Sequence, residues 1–208
     1  DFDEAWSPHE IDARHAGLFA DTKGDELVGD ATPFYVFHPR CVARIAAYNP
    51  AMRWILLLRD PVERARSHHH MERQRGHERL PLWLAVLLER WRLRGRADDF
   101  ARGSRLRRFS YRMRGDYARQ LDALYAHFPR EQVLLLRSER LRVDPETCVR
   151  EACRFLDVPP PAAGTRYDPV FVGDYPPVPP RAFSTRLLHW LMRRELRAMR
   201  DRYGIRFD

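Results

Sequence analysis

The sequence predicts an α/β domain built on a mainly parallel sheet covered by helices on both faces, and three observations predict it. Two apolar runs, Arg53 to Leu58 and Gln132 to Leu136, are strand-sized and bounded by charge, as strands buried in a parallel sheet are. Segments with helical spacing alternate with them. At Asp60-Pro61 and again at Asp144-Pro145, a capping carboxylate stands before a proline suited to the first helical position. With 208 residues, the chain fits one domain spanning 1–208.

Taken in order, Glu26 to Asp30 reads as a short extended piece leading into Thr32-Pro33-Phe34-Tyr35, and Pro39 opens a helix that ends at Asn49-Pro50. The strand Arg53 to Leu58 follows. The Asp60-Pro61 start then predicts a helix from Pro61 to about Arg75. Another runs from Leu82 to about Trp91, with Trp83, Val86, Leu87 and Trp91 on one face. After a polar, Arg-rich connection, a helix from about Gly115 carries Tyr117, Leu121, Leu124 and Phe128 at helical spacing and stops at Pro129. The second strand leads to the helix opened by Asp144-Pro145, with Val149, Cys153 and Leu156. The last helix is one amphipathic piece from Thr185 to about Tyr203, ended by Gly204. Pro-rich stretches at 158–161 and 175–180 read as surface loops.

Composition bounds the function. A hydrophobic fraction of 44% with 32% charged residues is that of a folded globular chain. No apolar run approaches the roughly 20 residues needed to span a bilayer. Asp1-Phe2-Asp3-Glu4 is acidic where a signal peptide is basic. A net charge of +8 favours polyanionic partners: nucleic acid, acidic glycans or phosphate-rich cofactors. The basic residues are 36 Arg and the single Lys23, a bias of GC-rich coding sequence that favours a bacterial source. Cys41, Cys148 and Cys153 form neither a closed disulfide framework nor a zinc spacing, so they read as buried thiols in a reducing, cytoplasmic setting, with no metal expected.

The chemistry concentrates in Trp54-Ile-Leu-Leu-Leu-Arg59-Asp60-Pro61-Val-Glu-Arg-Ala-Arg-Ser67-His68. A buried strand delivers Arg59 at its carboxyl end, the edge at which open α/β sheets bind ligands. Ser67 falls near the second turn of the following helix, able to face the same crevice. A planar five-donor cation beside a neutral hydroxyl suits a phosphate. The competing reading is an Arg59 that pairs with Asp60 or Glu63 on the surface.

The string LLLRDPVERARSHHH resembles the 3′-phosphate-binding segment of sulfotransferases that use 3′-phosphoadenosine-5′-phosphosulfate (PAPS), especially the branch with bacterial enzymes and the heparan sulfate sulfotransferases. The resemblance implies a three-layer, P-loop-like fold in which Arg59 and Ser67 hold the 3′-phosphate. The continuation Gly76-His77-Glu78 is similar to the family too. Val28-Gly29-Asp30-Ala31-Thr32-Pro33-Phe34-Tyr35 resembles the segment whose carboxylate is the catalytic base, which implies that role for Asp30. Gly115-Asp116-Tyr117 through Gln132 to Glu139 resembles a later helix, strand and acidic turn. The implied activity is transfer of a sulfuryl group from PAPS to a hydroxyl or amine of a small-molecule, glycan or peptide acceptor.

Two features depart from that pattern. The family has Glu where this chain has Asp30, one methylene shorter; the residue alternatively caps the turn at Thr32-Pro33. The family also opens on a strand and a P-loop-like turn that bind the 5′-phosphosulfate. Lys23 in Thr22-Lys23-Gly24-Asp25 lacks the preceding strand and the hydroxyl pair, and Gly164-Thr165 lies at the wrong end. The chain is therefore expected to be truncated at its N-terminus, the alternative being an inactive nucleotide-binding member.

His68-His69-His70 do not make a metal site, because three consecutive helical residues point about 100° apart. His68 and His70 are weighed as contacts to acceptor or cofactor against an exposed helix face. A basic nucleic-acid-binding module remains as a second class of explanation, resting on charge alone, since no zinc finger or RRM signature is present. A nucleotide kinase relative is a third, weakened by the missing Walker sequence.

Overall fold

The computed structural model describes residues 7–17, 19–23, 26–38, 40–96, 98–162, 164–168 and 182–207. Its sheet, among the described residues, pairs β1 (Trp54–Leu58) with β2 (Val133–Arg137) in parallel, with Trp54 opposite Val133 and Leu58 opposite Arg137. The α/β class and the parallel pairing are those expected from the two apolar runs. Their parallel register brings both carboxyl ends to one edge, which positions the site.

Helices occupy most of the rest. α1 (Pro8–Ala16) and α2 (Cys41–Tyr48) precede β1, and α3 (Pro61–Gln74), α4 (Leu82–Arg92), α5 (Arg105–Phe109) and α6 (Tyr117–Tyr125) lie between the strands. α7 (Ser138–Val143), α8 (Pro145–Leu156), α9 (Phe183–Leu191) and α10 (Arg193–Tyr203) follow β2. Both Asp-Pro starts work as the sequence implies: Asp60 accepts from the Glu63 N–H at 2.8 Å and Asp144 from the Thr147 N–H at 3.1 Å. Gly204 closes α10 at φ 68°, the left-handed cap that glycine takes without a Cβ clash.

One hydrophobic cluster packs Trp54, Leu58 and Val133 of the sheet against Val42 of α2, Tyr117, Leu121 and Leu124 of α6, and Met199 of α10. A second joins Val62 and Ala65 of α3 to Ala85 and Val86 of α4, Tyr111, Leu188 of α9 and Met192. Thus the buried face of α3 is built into the α4 and α9 layer rather than laid on the strands.

Four expectations need correction. The last helix is two helices, interrupted at Met192, whose side chain is buried against Gly115. The Arg-rich connection contains α5, whose N-cap Ser104 accepts from the Arg107 N–H at 3.2 Å. On α4 the buried residues are Ala85, Val86 and Glu89, while Trp83, Leu87 and Trp91 face outward. β1 is covered on one side only among the described residues, since Ile55 and Leu57 are exposed. The Pro-rich stretch 158–161 is an irregular segment with Pro159 and Pro160 exposed, as a surface loop is expected to be; Pro39 and the stretch 175–180 lie outside the described residues. Cys41 and Cys148 are buried and Cys153 half-buried, all as free thiols.

Candidate functional site

β1 ends at Leu58, so Arg59 and Asp60 stand where the strand meets α3, beside the exit of β2. The Asp60 N–H donates to Oε1 of Glu139 at 3.0 Å, which fastens the two exits together. Burial raises the Asp60 carboxyl above its ordinary range, although the Glu63 N–H favours the charged form. Burial acts on Glu139 in the same sense, but the Asp60 and Glu139 N–H groups and the Arg137 charge outweigh it and hold that carboxyl low.

Arg59 and Ser67 are both half-buried. Spacing places Glu63 and Ser67 one turn apart on the same face of α3. Glu63 is engaged by Arg66 of the same helix. The Arg59 main chain and the Arg64 guanidinium lie near the Tyr117 phenol, offsetting part of the rise that burial imposes on it.

Asp30 sits on an exposed segment before Thr32-Pro33. Its Oδ2 accepts from the Tyr35 hydroxyl and from Thr32 Oγ1. Tyr35 packs in turn against the cluster that holds Leu58 and Tyr117, which connects the Asp30 loop to the strand end. Burial raises the Tyr35 phenol first, and its bond to Asp30 adds to that rise. Asp30 thus bonds the hydroxyls of Thr32, at the turn, and of Tyr35, a partner that the sequence did not announce.

Behind this edge stand groups the sequence reading missed. Arg64 donates to the Tyr111 carbonyl, and burial holds its guanidinium below its ordinary pKa. Arg114 donates from Nε to Ser110 Oγ at 3.1 Å and lies 4.3 Å over the Phe34 ring. Burial, then the Arg64 and Arg107 charges, bring Arg114 down to about 9. His68 is buried with its ring 5.0 Å from that of Tyr111, and burial with the Arg114 and Arg64 charges holds it down to about 2. His69 is buried as well, its Nε2 lying 2.9 Å from the Leu80 carbonyl; with His68 buried and His70 half-buried, the exposed-face reading of those two does not hold. Glu78 accepts from Tyr111 Oη at 2.8 Å, from Arg92 at 2.5 Å and from the Arg79 and Leu80 N–H groups. Only the long-range partners of Glu78 lay beyond the reach of sequence spacing.

A cleft lined by Leu196, Arg197, Arg200, Arg206 and Phe207 opens nearby. Phe207 joins it to the strand edge, with its ring 6.1 Å from that of Tyr117 and the Arg137 guanidinium 5.7 Å from it. No group of His, Cys, Asp and Glu that would hold a metal ion occurs among the described residues.

Residues 38–166, more than half of the chain, match the family model described as the sulfotransferase domain. The chain belongs to the sulfotransferase family. The matched span contains Arg59 and Ser67, while Asp30 lies just before it. Among curated proteins, the membrane-associated sulfotransferase kil1 of Dictyostelium discoideum is 39% identical over 62 residues, which are 30% of this chain and 13% of that protein. The chain thus spans only a small part of that relative's length. Among solved structures, a sulfotransferase from Alicyclobacillus acidocaldarius superposes with a TM-score of 0.73 at 24% identity, covering 94% of this chain and 72% of that one. This likeness shows the α/β, P-loop-like fold.

Proposed function

We propose that this sulfotransferase-family chain binds PAPS at the carboxyl edge of β1 and β2 and transfers its sulfuryl group to a hydroxyl or amine. The observation that carries the reading is the placement of Arg59 at the end of a parallel strand, followed by the Asp60-capped helix that bears Ser67, all inside the matched span. Donor chemistry fits the group: guanidinium and hydroxyl are complementary to a phosphate, and Arg64 adds positive charge behind them.

When bound, PAPS supplies the sulfuryl group and a nucleotide bisphosphate as the leaving half. Arg59 and Ser67 anchor the 3′-phosphate, fixing the nucleotide's position along the edge. Asp30 accepts the proton of the acceptor group at Oδ2, with the Tyr35 hydroxyl orienting that oxygen. The cationic cleft of Arg197, Arg200 and Arg206 gives an acidic acceptor a complementary surface beside the same edge. No step of this scheme calls for a metal.

Small-molecule, glycan and peptide acceptors all fit this scheme. The free thiols accord with a cytoplasmic setting, and the Arg-rich composition with a bacterial source. No helix among the described residues is long and apolar enough to cross a membrane.

Calorimetric titration tests the reading. Adenosine 3′,5′-bisphosphate should bind at least about tenfold more tightly than adenosine 5′-phosphate, since a charge-assisted phosphate contact is worth roughly 1.5–3 kcal/mol. Equal affinities would overturn it. Steeply salt-dependent binding to duplex DNA without nucleotide binding would favour the nucleic-acid module instead.

A further inference from the structure

The outward face of α4 presents Trp83, Leu87 and Trp91 at successive turns, 41%, 45% and 73% exposed. On α9, packed beside it, Phe183 and Trp190 are 67% and 58% exposed and lie two turns apart on one face. The rings of Trp83 and Phe183 meet edge-on at 6.3 Å, so the two helices share one apolar surface.

The exposed charges that α4 and α9 themselves carry have one sign. Arg90, Arg94, Arg186 and Arg193 are exposed on or next to these helices, the Arg193 guanidinium lies 4.6 Å over the Trp190 ring, and Arg90 and Arg94 also border a cleft that Asp116 and Glu195 share. The single carboxylate of the two helices is Glu89, which is buried and accepts the Arg112 and Met113 N–H groups at 2.8 and 2.9 Å. Neither helix therefore offers an exposed carboxylate.

Monomeric proteins rarely expose contiguous aromatic and aliphatic side chains of this size without a partner. Tryptophan with arginine, on helices that carry no exposed carboxylate of their own, is the composition of segments that lie at a bilayer interface: the rings occupy the headgroup boundary and the cations meet anionic lipid. A second protein chain would need a matching acidic and apolar face, whereas anionic phospholipid supplies both at once.

We propose that the α4 and α9 face docks the protein peripherally on the surface of an anionic phospholipid bilayer, with Trp83, Trp91, Phe183 and Trp190 entering the headgroup boundary. The proposal is independent of the nucleotide site.

The test is flotation of the full chain with vesicles of phosphatidylcholine alone or with one third phosphatidylglycerol. It is paired with quenching of tryptophan fluorescence by acyl-brominated lipid. Partitioning should be at least about tenfold stronger onto the anionic vesicles and should fall as salt rises, each arginine near the surface contributing a factor of roughly five. Brominated lipid should quench the bound protein. The double variant Trp83→Ser/Trp91→Ser, compared at equal thermal stability, should lose most of the quenching. Arg90→Gln/Arg94→Gln should weaken partitioning by about tenfold or more, while Arg142→Gln/Arg154→Gln, which removes equal charge elsewhere, should change it little.

Equal losses in the two arginine pairs, or binding without quenching, would mean that net charge alone draws the protein to lipid and would overturn the proposal. Absence of vesicle binding, with a concentration-dependent dimer abolished by Trp83→Ser/Trp91→Ser, would overturn it in favour of an interface between two copies. Should the double variant fail to fold, the arginine pairs and the quenching of the unaltered protein still decide.

Discussion

The Tyr111 hydroxyl donates to Oε2 of Glu78 at 2.8 Å, and the same carboxylate oxygen accepts from Arg92 at 2.5 Å. Glu78 sits between α3 and α4, so one buried carboxylate fixes both the loop leaving α3 and the Tyr111 segment against which Arg64 and His68 pack. Replacing Glu78 with Gln leaves Arg92 without its counter-charge and should cost about 2–4 kcal/mol. Chemical denaturation measures it. Burial would raise this carboxyl, but Arg92, the Leu80 N–H and Tyr111 prevail and hold it below 4.5. A depressed folded-state value means stability present above pH 4.5 and lost as pH falls through the lower folded value. The Glu78→Gln protein should therefore lose that part of the acid dependence; an unchanged acid limb would show that Glu78 is not charged in the fold.

Gly115 makes a second prediction. A Cβ built there would lie 2.7 Å from Met192 Cε and 3.0 Å from Pro61 Cβ, where α3, the Tyr111 segment and the α9–α10 break converge. The Met192 terminus can swing aside, but the Pro61 ring at the start of α3 cannot, so Gly115→Ala should cost about 1–3 kcal/mol through overpacking. Adding Met192→Ala relieves only one of the two clashes, and should leave the pair less stable than Met192→Ala alone. Thermal melts of the three variants check this.

These two sites mark where sequence reasoning stopped. Both strands and both Asp-Pro helix starts were legible, because the apolar runs and N-cap chemistry are local. The break at Met192 was not, since its neighbour Gly115 is distant in sequence and helical periodicity continues across it. On α4, amphipathic spacing identified a stripe but misassigned it: Glu89 occupies the interior because the Arg112 and Met113 N–H groups satisfy it. Arg59 and Ser67 come from one motif of the sequence, and the fold sets them at the strand exit and on α3, both half-buried. The Arg64, His68 and Arg114 group depends on tertiary contacts that no spacing encodes, and the Tyr35 partner of Asp30, only five residues away, follows no regular helical or strand spacing.

For Asp30, the expected signature is a separation of chemistry from binding. Asp30→Asn removes the proton acceptor and should lower kcat by about 10²- to 10⁴-fold while adenosine 3′,5′-bisphosphate affinity stays unchanged. Tyr35→Phe, which removes the hydroxyl that orients Oδ2, should have the smaller effect on kcat, again with nucleotide affinity unchanged. Steady-state kinetics beside calorimetry distinguishes this from a turn cap: if Asp30→Asn lowers stability and leaves kcat intact, Asp30 serves the loop alone.

Arg59 and Ser67 give the sharpest prediction, because the proposed contact is to one phosphate of the nucleotide. Arg59→Ala should weaken adenosine 3′,5′-bisphosphate binding by about tenfold to a hundredfold, the loss of a charge-assisted bond of roughly 1.5–3 kcal/mol. Ser67→Ala removes a neutral donor and should cost less. Adenosine 5′-phosphate, which lacks the 3′-phosphate, is the control, and its affinity should hardly move in either variant. The comparison also separates binding from folding, since Arg59 follows β1 directly and its main chain lies near the buried Tyr117 phenol. If Arg59→Ala weakened both nucleotides equally and lowered the melting temperature, Arg59 would be a structural residue at the strand exit. A loss confined to the bisphosphate, at unchanged stability, places the 3′-phosphate on its guanidinium.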